Sequence, residues 1–230
     1  MSAEKHPSAN ETRSADGTRS ADGTRSADGT RSANADAADS TAKPTGLGRY
    51  RRLLQALIAV ALIAVAARIE APVPLSPVPV TAQTLAVVMV GALLGYRWGT
   101  VALLLYLAAG SAGLPIFADG AAGIRRLIGP TGGYLAGFVV AAGLVGWAAE
   151  RTRFRAGAWR RFSVLTSTML AAHVLILLLG WGRLAMLLGA SEAWARGVAP
   201  FLVGAVLKSA LGAALVVGWD AWIHRARAGE

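Results

Sequence analysis

The chain has 230 residues, of which 54% are hydrophobic and only 16% are charged, and its mean hydropathy is +0.48. A soluble domain carries about 25% charged residues, so the composition excludes an ordinary soluble domain and indicates a membrane protein. The chain has no cysteine, which excludes disulfides, thiolate metal sites and cysteine nucleophiles.

The formal net charge of +10 does not indicate nucleic-acid binding, because the charge lies in the apolar part of the chain. Residues 1–48 contain six basic and seven acidic residues, whereas residues 49–230 contain 17 basic and six acidic residues. The basic residues cluster at the ends of apolar runs, as they do at the cytoplasmic ends of membrane helices. The charge therefore predicts a lipid bilayer as the surroundings, and no nucleic acid as a partner.

The first 48 residues carry a short repeat, RSADGT, at positions 13–18, 19–24 and 25–30. They contain almost no large apolar side chain, so they cannot bury enough surface to offset the entropy cost of ordering. We predict a disordered cytoplasmic tail over residues 1–48 and one transmembrane domain over residues 49–230.

Six apolar runs follow the tail, and they predict an all-α membrane protein with six transmembrane helices. A spanning helix needs roughly 20 apolar residues, and runs two and three are shorter than that. We interpret these two as a helical hairpin, since glycines and an arginine in GYRWG interrupt them. The runs are Leu53–Ile69, Thr81–Leu94, Trp98–Ala109, Gly132–Ala149, Phe162–Leu179 and Val198–Ile223.

The distribution of arginine and lysine predicts the orientation of these helices. With six crossings, twelve basic residues fall on the side that holds both termini and five on the other side. Basic residues are enriched in cytoplasmic loops. We therefore expect both termini to be cytoplasmic and the protein to lie in the plasma membrane of a prokaryote as a multi-pass protein.

Two irregular segments fall on the outer side in this topology, residues 71–84 and 110–134. The first has four prolines, which forbid helix and favour extended backbone. The second is long for a loop and contains apolar side chains such as Phe117. Irregular backbone near a membrane is tolerated where it is buried in protein or lines a cavity, so we expect both segments to cover a cavity.

Three residues at or near membrane depth leave alternatives open. Arg126, like its neighbour Arg125, could lie at the membrane interface or bind a carboxylate. Lys208 lies in the middle of an apolar run, where an ionisable group is a functional-site hypothesis by default. His173 is explained more simply by a hydrogen bond to a neighbouring helix than by a proton relay.

The chain lacks the motifs of the common enzyme classes. GPTGGYLAG has no lysine and so is not a P-loop, and no H-E-x-x-H or G-x-S-x-G is present. Three histidines, one of them in the tail, do not build a typical zinc site. The sequence favours binding or transport, with no catalytic residue, no metal and no cofactor.

Three motifs carry a resemblance to a known family: PVPVTAQTLAVVMVGALLG (77–95), YLAAGSAGLPIFADG (106–120) and GPTGGYLAGFVVAAGLVGWAAER (129–151). They resemble the BioY family, the biotin-specific S components of energy-coupling factor transporters, and they occur in that family's order. The resemblance implies the six-helix S-component fold and a high-affinity biotin site near the outer face. It implies biotin uptake with a T subunit and two ATPase subunits as partners, although some members are thought to work without a dedicated module.

The resemblance also implies roles for five residues. Arg126 or Lys208 would bind the biotin carboxylate, Gln83 the ureido group, and Phe117 and Tyr134 the bicycle. The last motif, PFLVGAVLKSAL (200–211), departs from the family, which usually has Asp where this chain has Ala205. Two alternatives therefore stay open: an S component for another small vitamin, and a membrane scaffold subunit that binds no ligand.

Overall fold

The computed structural model describes residues 46–71, 76–153 and 157–229, and these residues are mostly helical. The expected disorder of the tail lies outside the described residues, but the first helix begins at Gly46, three residues before the boundary set from the sequence. Two 3-10 turns, Ala118–Gly120 and Ala199–Phe201, accompany the regular elements. These are α1 (Gly46–Arg68), β1 (Glu70–Ala71), β2 (Val80–Thr81), α2 (Gln83–Ser111), α3 (Arg125–Ile128), α4 (Gly132–Thr152), α5 (Ala158–Leu188), α6 (Ala190–Gly197) and α7 (Leu202–Ala228).

Five helical segments of the described chain are long and apolar enough to cross a membrane. They correspond to α1, α2, α4, α5 and the stretch from α6 into α7. The expected class, a helical membrane protein, is therefore confirmed. The structure adds one pair of two-residue strands that the all-α prediction did not include.

Helix α2 contains a chain reversal at Gly95, whose backbone has φ 80° and ψ 175°. The Gln83 amide is hydrogen-bonded to the Tyr106 hydroxyl at 2.8 Å, whereas 23 residues of straight helix would separate the two by roughly 34 Å. The two limbs of α2 therefore run back along each other, as predicted for runs two and three. Beyond the turn, the Tyr96 amide donates to the Glu150 carboxylate at 3.0 Å, which satisfies a free backbone donor at the start of the second limb.

Two short strands flank the proline-rich segment after α1. Glu70 pairs with Thr81 and Ala71 with Val80 in an antiparallel ladder. This pairing is possible because proline disfavours helix and holds the preceding residue in extended backbone. The ladder places the start of α2 beside the end of α1.

The long segment 110–134 is more structured than a loop. It contains a 3-10 turn and the one-turn helix α3, which carries Arg125 and Arg126. It is joined to the end of α1 by a hydrogen bond of 2.5 Å from the Arg68 guanidinium to the Pro115 carbonyl. A second hydrogen bond, of 3.2 Å, runs from the Asp119 amide to the Glu70 carboxylate. The segment is thus joined to the end of α1 and to β1, which pairs with β2, and residues 76–81 and 110–134 are together called the cover.

The last two apolar runs end and begin differently from the sequence prediction. Helix α5 continues through Leu188, which the apolar run allowed. Helix α7 begins at Leu202 rather than Val198. Proline lacks the N–H that a helix interior requires, and Pro200 lies in the 3-10 turn between α6 and α7.

Close helix contacts depend on glycine at a few positions. A methyl group on Gly91 would lie 2.9 Å from the Cα atom of Ala142, so the first limb of α2 touches the backbone of α4. A methyl group on Gly137 would lie 2.9 Å from the Cα atom of Ile176, which brings α4 equally close to α5. Small residues of this kind let membrane helices approach each other closely.

Replacing Gly91 by Ala should destabilise the protein by about 1–3 kcal/mol, because the added methyl group overlaps backbone that cannot move without shifting a helix. The measurement is thermal unfolding of the purified protein in detergent. Gly218→Ala is the matched control, since nothing lies within 4 Å of a methyl group at that position in α7. Equal melting temperatures for the two variants would contradict the close α2–α4 contact.

Candidate functional site

A cavity of about 780 Å³, including its opening, lies at one end of the helices. Its wall is formed by the starts of α2, α4 and α7, the middle of α5, and the cover made by β2 and the 3-10 turn at Ala118. The lining residues are Val78, Pro79, Val80, Thr81, Gln83, Thr84, Phe117, Ala118, Arg126, Thr131, Tyr134, Leu135, Phe138, His173, Ile176, Leu177, Phe201, Gly204, Ala205 and Lys208.

All five candidate residues from the sequence line this one cavity, although they come from five separate parts of the chain. They are Gln83, Phe117, Arg126, Tyr134 and Lys208. The role of each residue stays a prediction.

Lys208 is held at the cavity wall by the start of α2. Its ammonium group donates to the Thr81 carbonyl at 2.5 Å and to the Thr84 hydroxyl at 3.2 Å. An ammonium group has three N–H donors, so one remains for a ligand. Within the described ranges no carboxylate forms an ion pair with Lys208. The cavity therefore contains a cation whose charge no carboxylate of the described residues balances.

Ala205 lies one helical turn before Lys208 and also lines the cavity. At this position the BioY resemblance leads one to expect an aspartate. The two threonine contacts to Lys208 are neutral, so they orient the ammonium group without cancelling its charge. The departure at Ala205 thus leaves the cavity more positive than a Lys–Asp pair would.

Gln83 is oriented by a chain of hydrogen bonds through Tyr106. The Tyr106 hydroxyl donates to the Ile116 carbonyl at 2.9 Å, so it can only accept from Gln83, whose amide nitrogen lies 2.8 Å away. This fixes the side-chain amide with its NH₂ group toward Tyr106 and its oxygen as a remaining acceptor. Gln83 is only 4% exposed, so a polar ligand group is the natural partner for that oxygen.

The two aromatic candidates are buried in the cavity wall. The Phe117 ring packs edge-on against Tyr106, with ring centroids 5.4 Å apart, and lies over Gly110. Tyr134 uses its hydroxyl hydrogen to donate to the Gly197 carbonyl at 2.7 Å, so its ring and the acceptor capacity of its oxygen remain for a ligand. Both rings are thereby fixed and present apolar surface.

Arg126 lines the cavity from the cover, and its neighbour Arg125 does not. The Arg126 guanidinium lies 3.5 Å from the Asp119 carboxylate, and both groups are partly exposed, so this ion pair is weak. Arg125 instead faces a shallower outer depression beside Pro77 and Pro130, to which Arg126 also contributes. The two adjacent arginines are therefore distinct in position, which the sequence alone did not show.

His173 makes the link between helices that the sequence analysis favoured for it. Its Nδ1 atom lies 2.9 Å from the Met169 carbonyl and 3.1 Å from the Ser209 hydroxyl of α7. The structure also places the ring in the cavity wall, which the sequence did not indicate.

Several other contributors escaped sequence reasoning. Tyr106 lies in the middle of an apolar run, and only its partner 23 residues earlier reveals its role. Phe138 and Phe201 have no feature that separates them from packing residues. Thr81 and Thr84 carried a signal, since polar groups at the mouth of an apolar helix are unusual.

The arrangement suits a small, mostly apolar molecule with one negative charge and a polar head group. Apolar side chains form most of the wall, Lys208 and Arg126 supply positive charge, and Gln83 and His173 supply hydrogen bonds. Across the described ranges no group of three histidine, aspartate or glutamate side chains could hold a metal ion. Fold and site together define a helical membrane protein with an enclosed small-molecule cavity.

Comparison with known proteins identifies the family to which the chain belongs. The BioY family model matches residues 35–225, beginning within the segment that the sequence assigns to the tail, and the chain therefore belongs to the BioY family. A probable biotin transporter of Pyrococcus horikoshii is 36% identical over 151 residues, which are 66% of this chain and 85% of that protein. The biotin transporter of Rhizobium etli is 32% identical over 175 residues, 73% of this chain and 93% of that protein.

A solved structure confirms the fold. The chain resembles the crystal structure of the S-component for biotin from an ECF-type ABC transporter, with a TM-score of 0.69 and 22% identity. The likeness covers 78% of this chain and 95% of that chain. The S-component fold expected from the sequence motifs is therefore present.

Replacing Tyr106 by Phe should cost about 1–3 kcal/mol of stability, because the Ile116 carbonyl and the Gln83 amide both lose a buried partner. Thermal unfolding in detergent measures this loss. The matched control is Tyr96→Phe, which removes the hydroxyl of a half-exposed tyrosine; among the described residues that hydroxyl forms no hydrogen bond. A Tyr106→Phe variant as stable as the control would show that the hydroxyl does not organise this wall.

Proposed function

We propose that this chain is the biotin-binding S component of a biotin uptake system in the plasma membrane of a prokaryote. It captures biotin from outside and delivers it inward, and it has no enzymatic activity and no resident cofactor. A T subunit and two ATPase subunits supply the energy, with ATP used only by those partners. The family membership and the biotin transporters named among its relatives support this proposal.

The observation that carries the proposal is the match between the cavity and the shape and charge of biotin. Biotin has an apolar bicycle and valeryl chain, one carboxylate and a ureido group. Lys208 is a cation with no carboxylate partner among the described residues, and Gln83 keeps a free amide oxygen. Phe117 and Tyr134 present apolar rings to the same cavity.

The proposed topology has six membrane crossings, because the reversal at Gly95 turns α2 into two. Both termini are then cytoplasmic by the distribution of arginine and lysine. The cavity then opens near the outer face, beneath the cover formed by residues 76–81 and 110–134. Biotin would enter by displacement of this cover.

A second ligand is favoured by one observation, the alanine at position 205 in the cavity wall. Without the family's usual carboxylate the site has one acceptor fewer and more net positive charge. A different small vitamin with a carboxylate would suit such a site. A scaffold role without ligand is less well supported, because an organised cavity with an unbalanced cation is costly to maintain.

The purified protein in detergent should bind radiolabelled biotin saturably, and biotin should raise its melting temperature. A panel of other vitamins, tested in the same thermal-shift assay, distinguishes the two ligands. A response to another vitamin and none to biotin, from a protein that unfolds cooperatively, would refute the biotin assignment. No change in melting temperature with any vitamin of the panel, biotin included, would favour the scaffold role.

Removing the carboxylate partner should weaken biotin binding by about 2–5 kcal/mol, since the ligand charge would be left buried and unpaired. The variants are Lys208→Met and Arg126→Gln, and isothermal titration measures the affinity. Arg125→Gln is the matched control because Arg125 lies outside the cavity. Near-wild-type affinity in both Lys208→Met and Arg126→Gln would show that neither residue binds the carboxylate.

A further inference from the structure

His173 has a buried ring nitrogen that the helix link does not use. Its Nδ1 atom is engaged by the Met169 carbonyl and the Ser209 hydroxyl, whereas its Nε2 atom has no hydrogen-bond partner among the described residues. The residue is only 3% exposed, so water does not readily satisfy Nε2. A buried polar atom without a partner costs free energy and calls for an explanation.

The neighbours of Nδ1 determine what Nε2 can do. The Met169 carbonyl only accepts, so Nδ1 carries the hydrogen and donates it. The Ser209 hydroxyl donates to the Ala205 carbonyl at 2.7 Å, which leaves its oxygen as an acceptor toward Nδ1. In a neutral ring Nε2 then carries a lone pair and is an acceptor.

The surroundings favour the neutral ring. No carboxylate of the described chain forms an ion pair with His173, and burial of an unpaired charge is costly. Lys208 lines the same cavity, so a second positive charge there would add repulsion. The Nε2 atom of the neutral ring is therefore an acceptor that requires a hydrogen-bond donor.

The cavity is the place from which such a donor can come. His173 is among the residues that line the cavity, so a ligand bound there lies next to this residue. Gln83 presents a second acceptor in the same wall, because Tyr106 fixes its amide with the NH₂ group turned away. A cyclic urea has two N–H donors, which is the number of acceptors that these two residues supply.

We infer that His173 is a specificity-determining residue whose Nε2 atom accepts a hydrogen bond from an N–H group of the ligand, with Gln83 accepting from the other. This inference rests on the proposed function, since it identifies the ligand's N–H groups with those of the ureido ring. Met169 and Ser209 position the imidazole and fix its tautomer. His173 thus links α5 to α7 through Nδ1 and binds the ligand through Nε2.

The test compares biotin with two cyclic-carbamate analogues, in each of which a ring oxygen replaces one ureido N–H without added bulk. Wild-type protein should bind at least one analogue roughly 10- to 100-fold more weakly than biotin. In that analogue the ring oxygen, an acceptor, would face a protein acceptor, either His173 Nε2 or the Gln83 oxygen. His173→Phe should bind biotin more weakly by a similar factor and should discriminate against that analogue by less than about 3-fold. Isothermal titration in detergent measures all six affinities.

Two variants separate ligand recognition from helix packing. His173→Gln keeps an amide oxygen that reaches the position of Nε2, so it should restore biotin binding relative to His173→Phe. Thr168→Val is the control, since Thr168 bonds only to Val164 of its own helix and does not line the cavity. It should bind biotin and both analogues as the wild type does.

The outcomes distinguish the inference from the function on which it rests. Wild-type protein that binds biotin and both analogues equally well overturns the role of His173 while biotin binding stands, even if His173→Phe does not fold. A folded His173→Phe variant that discriminates between biotin and the analogues as the wild type does also overturns the role of His173. Wild-type protein that binds no biotin refutes the proposed function, and the inference falls with it.

Discussion

The site depends on the way one lysine is held in an apolar wall. An ammonium group near membrane depth is costly unless its donors are satisfied. Lys208 donates two of its N–H groups to the Thr81 carbonyl and the Thr84 hydroxyl, at the junction between β2 and α2. This contact joins α7 to the first segment of the cover, and it leaves the positive charge available. A ligand carboxylate would complete an arrangement that the protein alone leaves unbalanced.

The reversal at Gly95 makes this arrangement geometrically attainable. A straight α2 would carry Tyr106 far from Gln83, and the start of the helix would have no second layer behind it. Because the second limb returns along the first, Tyr106 supports Gln83 and Phe117 together. Glycines at 91 and 99 allow the two limbs and α4 to lie in backbone contact. A short hairpin thus serves as the rigid wall on which the polar groups are placed.

The functional residues were predictable to different degrees, for physical reasons. A lysine in an apolar run is expensive wherever the helix lies, so Lys208 was identified from sequence alone. Arg126 was one of two adjacent arginines that position alone left open, and the motif resemblance selected it together with Gln83, Phe117 and Tyr134. The structure brings all four to one cavity. Tyr106 could not be found this way, since its importance comes from a partner on the other limb of a hairpin. The difference between Arg125 and Arg126 likewise depends on the short helix that carries them.

The sequence by itself determined the class of protein, the approximate helices and the hairpin at Gly95, because hydropathy, glycine and proline act locally. It also determined that a cation must be accommodated within the last helix. Only the tertiary structure decided which residues share a cavity, because that depends on how distant segments cross and pack. It likewise decided that His173 uses one nitrogen to join α5 to α7, while the other has no hydrogen-bond partner in the part of the chain that the structure describes. Hydrogen-bond partners more than 30 residues apart are set by the packing of helices, and no local pattern encodes them.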